Sequence, residues 1–184
     1  MSSPFRHHRQ VAALGFPFLQ QMTAAAQRHA TEFGAITARE DHPGGAHGAT
    51  QSVFLRTPPW PLGPHSQEDL RLVDWPALQA DPALRALLDA LHVVTGLRPA
   101  RALLVSLAPG GEVAAHRDEG AYAEATERFH FPIITGPEAV SQIEDEQCSM
   151  IAGTLWWFNK AGMHSARNGT SRPRVHLILD GWRV

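Results

Sequence analysis

Two histidines and an aspartate in the C-terminal half have the types and spacing of a metal site. In the segment EVAAHRD, residues 112–118, His116 and Asp118 are two residues apart. In an extended strand such residues project from the same face, and Arg117 points the other way. An imidazole and a carboxylate on one face form half of a site. A second imidazole completes the set used by iron(II) oxygenases, which leaves positions open for substrate and dioxygen. His164, shortly after the strand-like run TLWWF (154–158), is the best candidate for that second imidazole. Taken alone, an HxD also fits a solvated turn at a strand end.

Two further segments repeat a different pattern. In RVHLILD (174–180), Arg174, His176 and Ile178 share one face, and Val175, Leu177 and Leu179 make the other purely aliphatic. In RFHFPII (128–134), Arg128, His130 and Pro132 share a face opposite Phe129, Phe131 and Ile133. An arginine on the inner face of an apolar strand needs an anionic partner, because an unpaired buried charge is costly. A small dicarboxylate would satisfy both arginines, since guanidinium and carboxylate pair in a fork. The structural alternatives are ion pairs within the chain: Arg174 with Asp118 or Asp180, and Arg128 with Glu127 or Glu124. His176 reads equally as a donor beside the site or as a core histidine.

These residues need elements to hold them. Phe18, Leu19, Met22, Ala25 and Ala26 recur at helical spacing between Phe16 and Phe33, and Gly34 is a stop. The first ten residues read as a lead-in or an edge element. A Gly- and His-rich loop (41–49) is followed by a strand, Gln51–Arg56, which the TPPWPLGP stretch at 57–64 closes. Asp74–Leu78 gives one helical turn. Asp81 is an N-cap with Pro82 at the first helical position, predicting a helix through Leu84, Leu87, Leu88 and Leu91 toward Gly96. After Arg98, about eight short apolar runs alternate with turn signals, the pattern of a sandwich or barrel. The expectation is a mainly β (α+β) chain, one domain over 1–184, with a supporting region (1–98) packed on a β core (99–184).

Composition excludes several classes. The chain has 184 residues and a formal net charge of -2, so a sequence-wide basic footprint for nucleic acid is missing. One cysteine, Cys148, rules out an intrachain disulfide framework or a Cys-rich zinc module. No apolar stretch approaches the roughly 20 residues that span a bilayer. A cytoplasmic protein with no nucleic-acid or membrane partner is expected. Eleven histidines accompany a single lysine, Lys160. Those at 7, 8, 29, 42, 47 and 65 are expected in loops or on exposed faces, unrelated to a metal.

The ordered set HRD (116–118), RFH (128–130) and HSARN (164–168) followed by RVHLILD, with DWPAL at 74–78, resembles the aspartyl/asparaginyl β-hydroxylase branch of the iron(II)- and 2-oxoglutarate-dependent oxygenases. The resemblance covers about residues 101–184. It implies a double-stranded β-helix, a jelly-roll or cupin-like core. It also implies His116, Asp118 and His164 as the catalytic iron ligands and Arg174 as the clamp for the distal carboxylate of 2-oxoglutarate, aided by Ser106 on a neighbouring strand. Arg128 and His130 match the pair holding the 1-carboxylate end, and His176 is expected to line the same pocket.

One departure matters. Animal aspartyl hydroxylases of this family lack the carboxylate ligand, and this chain keeps it as Asp118. That is closer to bacterial amino-acid hydroxylases that resemble the same family, and it argues against halogenation. The implied reaction takes Fe(II), 2-oxoglutarate and O2, hydroxylates a C–H bond of an amino acid or a small amino-acid-derived or peptidyl substrate, and releases succinate and CO2. A non-catalytic metal- and acid-binding sensor is the alternative, and a zinc hydrolase on the same ligands is a weaker third. The residues that choose the substrate fall in the first 100 positions and the GAYAEAT loop (120–126), a short loop that suits a small molecule. Gln51, Arg56, Arg117 and Asn159 are further candidate contacts.

Overall fold

A computed structural model describes residues 6–42, 45–59 and 70–183. The first five residues, His65 and the part of the 57–64 stretch from 60 onward lie outside them. The N-terminal elements are β1 (His8–Ala13), α1 (Gly15–Arg28), a 3-10 turn (Ala30–Glu32), β2 (Thr50–Thr57), β3 (Val73–Asp74), α2 (Pro76–Gln79) and α3 (Pro82–Thr95). The lead-in is thus an edge strand, β1, paired with a C-terminal strand. Helix α3 begins as its residues dictate. The Asp81 carboxylate accepts the Leu84 N–H at 2.9 Å and Pro82 occupies the first turn, where its missing N–H costs nothing. It ends at Gly96, whose φ of 71° is the left-handed geometry glycine adopts freely.

The alternating half becomes eight strands: β4 (Arg98–Leu107), β5 (Glu112–His116), β6 (Thr126–Ile134), β7 (Ala139–Ile143), β8 (Glu146–Cys148), β9 (Thr154–Phe158), β10 (His164–Asn168) and β11 (Arg174–Trp182). They divide between two antiparallel sheets. The larger runs β1-β9-β6-β11-β4-β2-β3 and the smaller β5-β10-β7-β8. Along the chain β4, β6, β9 and β11 lie in the first sheet, whereas β5, β7, β8 and β10 lie in the second. That winding is the double-stranded β-helix.

The GAYAEAT segment is not a loop. Ala121–Ala125 forms one short helix, α4, and Tyr122 is buried beneath it.

The outer face of the large sheet carries the hydrophobic core. Phe129, Phe131, Ile133, Val175, Leu177 and Leu179 meet Met22 and Ala25 of α1 and Leu84, Leu87, Leu88 and Leu91 of α3. Burying each such leucine or phenylalanine contributes about 2 kcal/mol. Asp81 also ties the two helices together, since Arg28 Nη2 and His29 Nε2 donate to its Oδ2 at 2.8 and 3.1 Å. Between the sheets the polar residues share the inner faces with two smaller apolar clusters, Phe54, Leu103, Val105 and Ile178 in one and Ile143, Met150 and Phe158 in the other. None of the described helices is long and apolar enough to cross a membrane.

Candidate metal and anion site

His116 closes β5 and His164 opens β10, and the ladder between those strands sets them opposite each other. Their ring centroids are 4.2 Å apart. Asp118 follows two residues on, its N–H donating to the Lys160 carbonyl at 3.0 Å. Asp118 Oδ1 lies 3.6 Å from His116 Nε2 and 4.0 Å from His164 Nε2. One ligand atom from each residue falls within 4.8 Å of the others.

The tautomers follow from the backbone. His116 Nδ1 lies 2.8 Å from the Ala114 carbonyl and His164 Nδ1 lies 2.9 Å from the Gly162 carbonyl. A carbonyl only accepts, so both Nδ1 atoms carry the proton and both Nε2 lone pairs face the gap. Burial lowers His164 to about 4, against the opposing bond to Gly162 and with help from His116, which leaves its ring neutral at pH 7. Burial alone would raise Asp118, but Arg128 and the two histidines outweigh it and bring the carboxyl down to about 2. Two imidazoles and one carboxylate are the donor set that suits a ferrous ion.

Behind Asp118 lies a buried ion network. Arg128 donates to Asp118 Oδ2 from Nη1. Its Nε and Nη2 donate to the two oxygens of Asp180 at 2.9 and 3.1 Å, across the β6–β11 ladder. Asp180 also accepts from the Tyr122 hydroxyl at 3.0 Å, and Lys160 Nζ stands 4.0 Å away. The alternative partner Glu127 is taken by Arg183 and Trp157, both at 2.7 Å. The anion expected for Arg128 is therefore supplied by the chain. Asp118 and Asp180 both engage the guanidinium.

Arg174 is different. It is buried, its Nε donates to His176 Nε2 at 3.0 Å and its Nη2 to Ser141 Oγ at 3.2 Å. Among the described residues it has no carboxylate within ion-pair distance, so neither Asp118 nor Asp180 is its partner. Burial lowers it to about 10, still a cation at pH 7. His130 and His176 lie beside it, their Nδ1 atoms 3.4 Å apart, and burial together with Arg174 pushes both well below the ordinary histidine value. Val105, Leu107, Phe158 and Ile178 complete the pocket between Arg174 and the two histidines of the triad.

Ser106 does not join them. The register pairs Val105 with His176 and Leu107 with Arg174, whereas Ser106 pairs with Val175. Directly opposed residues share a face, so Ser106 points to the helix side of the sheet. The contact expected from it falls to Ser141 on β7.

Several site residues escape sequence reading. Arg39 and His47 come from the loop before β2; His47 sits edge-on to His116 at 4.8 Å and accepts from Arg39 at 3.3 Å. His47 is therefore beside the centre, against expectation, and His8 and His29 are buried rather than exposed. Asp180 was within reach, because the period of two that groups Arg174 with His176 continues to it. Arg56, Arg117 and Asn159 engage Asp74, Glu144 and His7 instead of the pocket. A second set of potential ligands, His7, Asp145 and Glu146, lies at the surface, and Glu146 there accepts the backbone N–H groups of Arg6 and His7.

Residues 75–184 match the model of a family described as Aspartyl/Asparaginyl beta-hydroxylase. The fold is similar to a solved non-heme monooxygenase, the ThoJ–Ni complex, at 15% identity and a TM-score of 0.55 over 96% of this chain and 73% of that one. It is also similar to a Pseudomonas putida prolyl-4-hydroxylase, at 17% identity and a TM-score of 0.55 over 97% and 94%. AviO1 from Streptomyces viridochromogenes aligns at 15% identity with a TM-score of 0.51 over 96% and 90%. At these identities the likeness is one of fold. Among curated proteins none matches the sequence.

Proposed function

We propose, from the premise that this chain belongs to the aspartyl/asparaginyl β-hydroxylase family, that it is an iron(II)- and 2-oxoglutarate-dependent hydroxylase of an amino acid or a small amino-acid-derived substrate. One observation carries the cosubstrate part of this reading. Arg174 is a buried guanidinium without a carboxylate partner among the described residues, and it shares a pocket with the triad histidines. A buried cation is stable only with an anion at hand, and a dicarboxylate that reaches from Arg174 to the triad answers that requirement.

The residues fit the groups they would hold. His116 Nε2, Asp118 Oδ1 and His164 Nε2 would bind the iron, each oriented by a contact on its far side. When bound, iron(II) with 2-oxoglutarate and dioxygen supplies the oxidising chemistry, with succinate and CO2 as coproducts.

The chain's own residues do the positioning. Arg128 occupies Asp118 Oδ2, so Asp118 offers Oδ1 alone to the metal and keeps room for other ligands. Asp180 and Tyr122 hold Arg128 still. Arg174 pairs with the distal carboxylate, and His176 and Ser141 fix the plane of its fork. Neutral His130 and His176 add polar contacts without charge, and Val105, Leu107, Phe158 and Ile178 exclude water.

Succinate release from the iron-loaded protein tests the reading. Turnover of 2-oxoglutarate, coupled to substrate or uncoupled, is expected and must stop in His116→Ala. Folded, iron-loaded protein that binds 2-oxoglutarate yet releases no succinate in oxygen would mark a sensor, and the hydroxylase reading fails.

A further inference from the structure

Close to the metal ligands one residue holds a backbone shape that its type disfavours. Ile143 pairs with Glu146 in the β7–β8 ladder, so Glu144 and Asp145 form a two-residue hairpin loop. Glu144 takes a φ of 49°, the sole positive φ of a residue other than glycine among those described. Such loops favour glycine, asparagine or aspartate at positions of positive φ, because a Cβ crowds the backbone there. A glutamate at 144 therefore calls for a reason beyond the turn.

The neighbouring strand supplies one. β7 also pairs with β10, where Ile143 stands opposite His164, so Glu144 comes opposite Met163. The Glu144 N–H donates to the Met163 carbonyl at 2.8 Å. In an antiparallel ladder the return bond runs from the Met163 N–H to the Glu144 carbonyl. That carbonyl instead accepts the Gln142 side-chain amide at 2.6 Å. The Met163 N–H goes to the Glu144 carboxylate, donating to Oε1 at 2.8 Å. A side-chain oxygen thus replaces a ladder carbonyl, which a glycine could not provide.

This bond sits where the ligands are. Met163 directly precedes His164, and before it comes Gly162, whose carbonyl fixes the His164 ring at 2.9 Å. Gly162 has no side chain to hold Glu144 away: a Cβ there would meet Glu144 Cγ at 3.2 Å. The same Oε1 accepts from Arg117 Nη2 at 3.4 Å, and Arg117 separates His116 from Asp118. One carboxylate oxygen therefore ties the start of β10 to the end of β5, and those two segments carry all three ligands.

We propose that Glu144 is a positioning residue for the metal site, bracing the two ligand-bearing segments through Met163 and Arg117. This rests on the reading of His116, Asp118 and His164 as metal ligands. The side chain, rather than the turn, sets the spacing between His164 and the His116–Asp118 pair.

Cobalt(II) titrated into the metal-free full chain, with urea unfolding of the same samples, tests this. Glu144→Ala removes the brace and keeps the strained turn, whereas Glu144→Gly removes both. The glycine variant is expected to unfold at higher urea than the alanine variant. Both should nevertheless bind cobalt about thirtyfold more weakly than wild type, with an altered visible spectrum. Glu144→Gln keeps an oxygen for the Met163 N–H and loses only an exposed ion pair, so its affinity should fall less than about fivefold. A glycine variant with wild-type cobalt affinity and spectrum overturns the brace, as does a glutamine variant as weak as the glycine one. Wild-type protein that binds no cobalt overturns the metal site, and the brace with it.

Discussion

Asp180 and Arg128 face each other across adjacent strands and join through two parallel hydrogen bonds of 2.9 and 3.1 Å, while the third arm of the guanidinium holds Asp118. The orientation of the candidate metal ligand Asp118 is thus set from the facing sheet. Asp180→Asn keeps the shape and removes the charge. Cobalt(II) affinity, read by competition with a chelating dye, is expected to fall about tenfold or more. The visible cobalt spectrum should change as Asp118 loses its fixed geometry. An unchanged spectrum and affinity would show that Asp180 serves only stability.

Arg174 gives the converse test. Because its charge is buried without an anion, Arg174→Met is expected to leave the ligand-free protein as stable as wild type or more so. The same change should weaken 2-oxoglutarate binding at least a hundredfold, through loss of a charge-assisted fork. In thermal melts 2-oxoglutarate then raises the midpoint of wild type only. A variant that unfolds early and still binds would mean the arginine is structural.

Acid should unfold the metal-free protein through its histidines. Burial lowers His92 to about 4 and His47, with Arg39 beside it, to about 2, and it holds His130 and His176 well below the ordinary value. Each is neutral when folded and takes a proton near pH 6.5 when unfolded. The stability these groups contribute is complete above about pH 6.5 and drains away as pH falls below it, at about 1.4 kcal/mol per pH unit for each. Urea unfolding at pH 7.5, 6.5 and 5.5 measures the slope. His92→Gln should flatten it by one proton, and a slope near zero would refute the assignment.

Asp81 caps α3 and anchors the end of α1. Asp81→Ala should cost about 2 kcal/mol, from a lost cap and lost charged hydrogen bonds. Asp81→Asn should recover the cap alone. Neither change touches the pocket, so 2-oxoglutarate affinity measured below the melting range stays constant.

Strand periodicity made most of this fold legible. All eight C-terminal runs became strands, including β4, β6 and β11, which are buried on both faces over much of their length. The HxD pair and the inward Arg174 and His176 follow from the same rule. Ser106 shows where the rule stops: a residue's face depends on the register with its neighbour, which one strand's letters do not contain. Arg39 and His47 lie in a loop with no period, and only tertiary packing brings them to the β2 side of the pocket. For Arg128 the sequence offers a cosubstrate carboxylate or its neighbours Glu127 and Glu124, whereas the chain's own partner is Asp180, 52 residues away.

The two faces of β11 bear on how this protein can change over time. Arg174, His176, Ile178 and Asp180 point one way, and Val175, Leu177 and Leu179 the other. Gaining or losing a single codon within that stretch would exchange the faces, sending cations toward the helices and aliphatic groups into the pocket. Point substitutions on either face disturb one contact at a time. A one-residue insertion or deletion within 174–180 is therefore expected to cost more than any single substitution there.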